Sequence, residues 1–149
     1  MNVSASVFID STKEEVWKVI SNIENSPNFI SGINKIEILE KHNEGLIGLK
    51  WKETRTMFGK ESTETMWIIE AVENEYYKTR AESHRMIYIS ELRIAEENGK
   101  IKLTMNFYGE ATSFFGKIMS FIFSKIMRNS TKKMILEDLN DIKKYIEGR

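Results

Sequence analysis

The chain has 149 residues, 41% of them hydrophobic and 30% charged, with Lys plus Arg equal to Asp plus Glu at 22 each. These values fit one folded domain over 1–149 that is long enough to bury a core, and they exclude a disordered chain. A net charge of zero argues against a dedicated nucleic-acid binder, and the absence of cysteine removes disulfides, thiolate metal sites and thiol nucleophiles.

In chain order, Val3, Ala5, Val7 and Ile9 alternate with Ser4, Ser6, Phe8 and Asp10, the period of a half-buried strand. Ser11 with Glu14, or Thr12 with Glu15 one residue later, reads as a capping box. Behind it Val16, Val19, Ile20 and Ile23 fall on one face of a short helix. Ser26-Pro27 then predicts an N-cap and first helical residue for a second short helix reaching about Gly32. From Ile33 to Ala111 the pattern is strands alone. Turn signals stand at Asn43-Glu44-Gly45, Phe58-Gly59, Glu73-Asn74-Glu75 and Asn98-Gly99, with a further break near Ser83-His84-Arg85. The connections are too short for parallel crossovers, so these strands are expected to form an antiparallel meander.

The last segment carries a clear helical stripe of Ile135, Leu139, Ile142 and Ile146, with Phe121 and Phe114 in phase. A second stripe, Phe115, Ile118, Met119, Ile122 and Ile126, lies on roughly the opposite side. One straight helix over 113–147 would run about 50 Å, against about 40 Å for a compact chain of this size. Either the helix breaks near Asn129-Ser130-Thr131, or its first half is apolar nearly all round. The expected fold is α+β, a curved antiparallel sheet of about seven strands wrapped around a long C-terminal helix.

Strand alternation gives the expected inward faces: Leu49, Trp51, Glu53, Arg55 and Met57; Tyr77, Thr79, Ala81 and Ser83; Tyr88, Ser90, Leu92 and Ile94; Leu103, Met105 and Phe107. Met66 and Trp67 are adjacent, and alternation does not decide between them; Trp67 is taken as the candidate. Glu and Arg two apart on an inward face are costly in a dry core but tolerated in a cavity, where water or a ligand completes their hydrogen bonds. The competing expectation puts Glu53 and Arg55 at a solvent-exposed strand end. The candidate cavity comprises Leu49, Trp51, Glu53, Arg55, Trp67, Ala81, Ser83, Tyr88, Ser90, Leu103, Met105 and Phe107 from the sheet. Phe115, Ile118, Met119 and Ile122 complete it from the helix. Arg55 would hold a ligand carboxylate or carbonyl, with Glu53 as its partner or as a base.

His42 and His84 show no recurrent metal-ligand spacing, and no hydrolase elbow, phosphate loop or dinucleotide fingerprint is present. No metal, cofactor or catalytic residue is therefore assigned. The N-terminus lacks a basic start and an apolar run, and no segment approaches a bilayer span, so a soluble cytoplasmic protein is expected. Lys117, Lys125, Arg128, Lys132 and Lys133 leave room for transient contact with an anionic membrane surface.

Val7-Phe8-Ile9-Asp10-Ser11 followed by Glu14 to Glu24 resembles the opening of START-like (SRPBCC) helix-grip proteins, closest to the polyketide cyclase/dehydrase and lipid-transport branch. Phe29 to Leu39 is similar to the stretch that follows in those proteins, and Leu136 to Glu147 resembles their final helix. The resemblance spans essentially the whole chain and implies a cavity for lipids, quinones, polyketides or similar apolar molecules. It implies no shared catalytic motif. Binding or transport of a small apolar ligand is the expected role. An enzyme of the cyclase/dehydratase type, with Glu53, Arg55, Tyr88 and His84 as candidates, and a protein-interaction or homodimerising module built on the Phe115 stripe are the alternatives. The protein would be a monomer or a homodimer.

Overall fold

The computed structural model describes residues 2–41, 44–57, 59–83, 85–112 and 114–148, with the backbone alone for 114–126. Seven strands, β1 (Asn2–Ile9), β2 (Ile33–Glu40), β3 (Lys50–Met57), β4 (Lys60–Val72), β5 (Tyr76–Ser83), β6 (Met86–Glu97) and β7 (Lys100–Ala111), form one sheet in the order β1-β7-β6-β5-β4-β3-β2. All neighbours are antiparallel. The meander from β2 to β7 follows from its turns. Asn98 and Gly99, with φ of 52° and 76°, make a two-residue hairpin between the paired Glu97 and Lys100. Asn74 has φ of 65° at the β4–β5 turn. β1 then closes against β7, which leaves β1 and β2 as the two edges.

Helix α1 (Lys13–Ile20) starts at Thr12, whose hydroxyl accepts from the Glu15 amide at 3.2 Å. Of the two expected frames the second is therefore the one used. Thr12→Ala should lower stability by about 1 kcal/mol, read as a drop in the denaturant midpoint at unchanged slope.

The second helix differs from expectation. It is a 3₁₀ turn over Ile23–Asn28 with Pro27 inside it, and does not run from Pro27 to Gly32. The reason is local: Ser26 does not cap outward, because its buried hydroxyl donates back to the Ile23 carbonyl at 2.7 Å.

The C-terminal helix, α2 (Phe114–Glu147), runs unbroken for 34 residues through Asn129-Ser130-Thr131. Ile135, Leu139, Ile142 and Ile146 are all buried. They pack with Val3, Ala5 and Ile9 of β1, Ile101 and Leu103 of β7, and Val16, Val19 and Ile20 of α1. Polar ties fix the same half of the helix. Asp141 Oδ2 accepts from the Ser31 amide at 2.9 Å and from its hydroxyl at 2.8 Å, and Phe29 stacks on Tyr145 at 4.6 Å between ring centroids. Glu147 accepts from the Asp10 amide at 2.9 Å, and Lys143 donates to the Phe8 carbonyl. The core thus joins α1, the C-terminal half of α2, β1 and β7, and extends across the sheet through Trp51, Ile68, Tyr77 and Leu92. The space toward β3–β6 is left less filled.

Candidate functional site

A cavity of about 570 Å³ occupies that space. Its sheet wall is set by the register. Trp51 of β3 faces Met66 of β4, Met66 faces Ala81 of β5, and Ala81 faces Tyr88 of β6. One row of inward side chains therefore crosses four strands. The roof is Met127, Thr131, Met134, Ile135, Asp138 and Ile142 of α2, and the α1 end is closed by Ile20, Ile23, Ser26, Phe29 and Ile30.

Of the sequence candidates, Trp51, Glu53, Arg55, Ala81, Tyr88, Ser90, Met105 and Phe107 line this cavity. Four others do not. Trp67 points to the opposite face, where Lys50 sits 5.8 Å from its ring centroid, and Met66 takes the inward position. The register decides this: Met66 pairs with Trp51, and Trp67 pairs with Lys50. Leu103 is inward but fully buried in the core beside α2, so it meets no open space. Leu49 precedes β3 and packs at the edge of the core. Ser83 ends β5 opposite Met86, beyond the lining residues. The side chains of Phe115, Ile118, Met119 and Ile122, and the residues His42 and His84, lie outside the described residues.

One end of the cavity is polar. Arg55 donates from Nε to Glu53 at 3.2 Å, and from Nη2 and Nη1 to the two Asp138 oxygens at 2.9 and 3.5 Å. Trp51 Nε1 donates to the other Glu53 oxygen at 3.3 Å. All three charged side chains are nearly buried, between 11% and 12% exposed, so the pair is not at a solvent rim. Burial opposes the Arg55 charge, but Asp138 and Glu53 overcome it and hold the guanidinium above its ordinary pKa. Burial, only partly offset by Arg55, pushes the Asp138 carboxyl upward, and Glu53 adds to the rise. Arg55 was expected to hold a ligand carboxylate or carbonyl, with Glu53 as its partner or as a base. The Glu53 partnership is present, and three of the five Arg55 N–H groups are engaged by protein carboxylates.

Asp138 and Thr131 of α2, Glu64 and Ser62 of β4, and Ser26 are polar lining residues that sequence reasoning missed. For the two on the helix the pattern was readable: Asp138 follows Ile135 by three and Thr131 precedes it by four, so both fall on the apolar stripe of α2, where a polar residue needs a partner or a cavity. On the sheet wall, Tyr77 donates its hydroxyl to the Ile20 carbonyl at 3.2 Å and meets Trp17 edge-on. Burial and the Glu53 charge raise its pKa, so it remains a donor. Tyr88 stacks on Phe107 at 5.7 Å, and its hydroxyl is likewise held protonated by burial and the nearby Glu64 charge.

The apolar wall is rich in thioethers. Met57, Met66, Met86, Met105, Met127 and Met134 all line the cavity, and these are all the methionines among the described side chains. Unbranched and polarizable, they fill irregular space and suit aromatic contacts. Among the described residues no group of three His, Cys, Asp or Glu is arranged to hold a metal, and no helix is long and apolar enough to cross a membrane.

A sequence profile of the family described as polyketide cyclase/dehydrase and lipid transport matches residues 1–147. The chain belongs to this family. The fold is that of the START-like helix-grip proteins. An aromatase/cyclase from a Streptomyces species superposes with a TM-score of 0.77 at 18% identity, covering 100% of this chain and 94% of that one. A Thermus thermophilus protein gives 0.80 at 13% identity, over 99% and 98% of the two chains. A START superfamily protein from Mycobacterium smegmatis gives 0.69 at 18% identity, over 99% and 95%. Identities this low relate this polyketide cyclase/dehydrase family member to those proteins by fold alone. No curated protein matches the sequence.

Proposed function

We propose that the protein is a single-domain binder or carrier of a small apolar molecule, such as a lipid, quinone or polyketide, held between the sheet and α2. The observation that carries this reading is the cavity of about 570 Å³, whose walls are thioether, aliphatic and aromatic side chains with polar groups gathered in a few places. The family described as polyketide cyclase/dehydrase and lipid transport supports the same class of ligand. A cytoplasmic location, loading by transient contact with a membrane surface and a monomer or homodimer belong to this reading as further proposals.

Native mass spectrometry of gently purified protein, with organic extraction, tests it. The expected result is a discrete added mass that is lost on denaturation and recovered as a lipid-like compound. A clean apo mass, together with no uptake from a library of lipids, quinones and polyketides, would sink the carrier reading.

A second reading, catalysis on the same ligand, is favoured by Glu53, Arg55 and Tyr88 lying in one cavity. It requires turnover of a bound compound that falls by orders of magnitude when Glu53 or Arg55 is replaced.

A further inference from the structure

Among the described lining residues the charge of the cavity is unbalanced. They hold three carboxyl groups, Glu53, Glu64 and Asp138, against one guanidinium, Arg55, with no lysine or histidine. The guanidinium is committed to Glu53 and Asp138. Glu64 makes no ion pair or side-chain hydrogen bond among the described residues, although it too lines the cavity. Moreover, β3 and β4 pair Glu53 directly with Glu64 on the inward face. Like charges opposite one another across two strands repel, and Arg55 relieves only the Glu53 side. Net negative potential inside an apolar cavity acts at lower effective dielectric than at a surface, so it discriminates strongly between ligand charges.

We propose that this cavity selects apolar molecules carrying an amine or other cationic nitrogen, and disfavours apolar carboxylates such as fatty acids. The inference rests on the ligand-binding reading above. The hydrocarbon part of the ligand packs on the methionine and aromatic walls. Its cation lies beside Glu64, next to the Glu53 that Arg55 already pairs, and supplies the positive charge that Glu64 lacks among the described residues.

Three ligands of equal chain length test it: dodecylamine, 1-dodecanol and dodecanoate, each displacing the neutral fluorophore N-phenyl-1-naphthylamine at pH 7 and low ionic strength. Dodecylamine should bind at least about 10-fold more tightly than dodecanoate, with dodecanol between them. Glu64→Gln should reduce that amine-to-carboxylate ratio several-fold. The ratio is read within each protein, so a general change of affinity in the variant cancels, and removing one of two facing carboxylates favours folding. Dodecanoate binding as tightly as dodecylamine, or a ratio that Glu64→Gln leaves unmoved, overturns the inference while leaving the cavity reading standing. If the fluorophore and all three ligands fail to bind, the cavity reading itself fails and takes the inference with it.

Discussion

Replacing Arg55 with leucine should cost about 3–5 kcal/mol of stability, the range for stripping one partner from a buried ion pair. The side chain is nearly buried and joins β3 to α2 through Asp138, and its loss leaves both Glu53 and Asp138 without their common cation. The expected result is a large fall in the urea midpoint with little change in slope. The pH dependence identifies the cause. Asp138 already has its folded pKa raised above the ordinary 3.8, so in that window the folded state binds more protons and stability falls as pH rises. Without Arg55 the attraction and hydrogen bonds that oppose the rise vanish, and the window extends upward. The deficit of the variant should therefore shrink as the pH is lowered from 7 toward 5. Adding Glu53→Gln and Asp138→Asn should recover much of the loss at pH 7. A deficit that is small and flat with pH would show that the three groups are solvated and that the helix is held by its apolar stripe alone.

Ala81→Phe should abolish uptake of N-phenyl-1-naphthylamine, weakening it by about 100-fold or more, an effect of roughly 2.8 kcal/mol. Ala81 sits mid-wall between Met66 and Tyr88, and its methyl group looks into the cavity. A phenyl ring there takes up ligand space. In a packed core the same insertion would force side chains off their rotamers and cost about 1–3 kcal/mol. With open space in front of it, the cost should stay below about 1 kcal/mol. Binding and stability read together separate the two situations: lost binding with retained stability supports an open cavity, whereas lost stability with unaltered binding places the ligand elsewhere or nowhere.

The parts of this architecture that were legible in the sequence are those that repeat along one element. Period two in β3, β5, β6 and β7 put Trp51, Glu53, Arg55, Ala81, Tyr88 and Phe107 on the inward face, and the spacing of Ile135, Leu139, Ile142 and Ile146 marked the buried side of α2. What was not legible depends on pairing between elements. Arg55 and Asp138 are 83 positions apart, and only the seating of α2 on the sheet makes them partners. Met66 and Trp67 exchange roles on a one-residue shift of register, which no local pattern resolves. Leu103 and Met105 share a face, yet one is core and the other cavity wall, because the C-terminal half of α2 covers the first. The 3₁₀ turn over Ile23–Asn28 arose from a hydroxyl turning inward at Ser26, a choice between two hydrogen-bond partners that the residue type leaves open.

The methionine lining bears on how affinity should vary with ligand size. Six side chains with three rotatable bonds each have many conformations available while the cavity is unoccupied. A bulky guest that pins them loses about 0.5–1.5 kcal/mol of rotational freedom for every one immobilised, so added contact area is offset by added ordering. A slender guest that leaves several of them free keeps that entropy. Affinity should consequently level off across a homologous series, and a wall of this composition favours breadth of ligand over tightness for any single one.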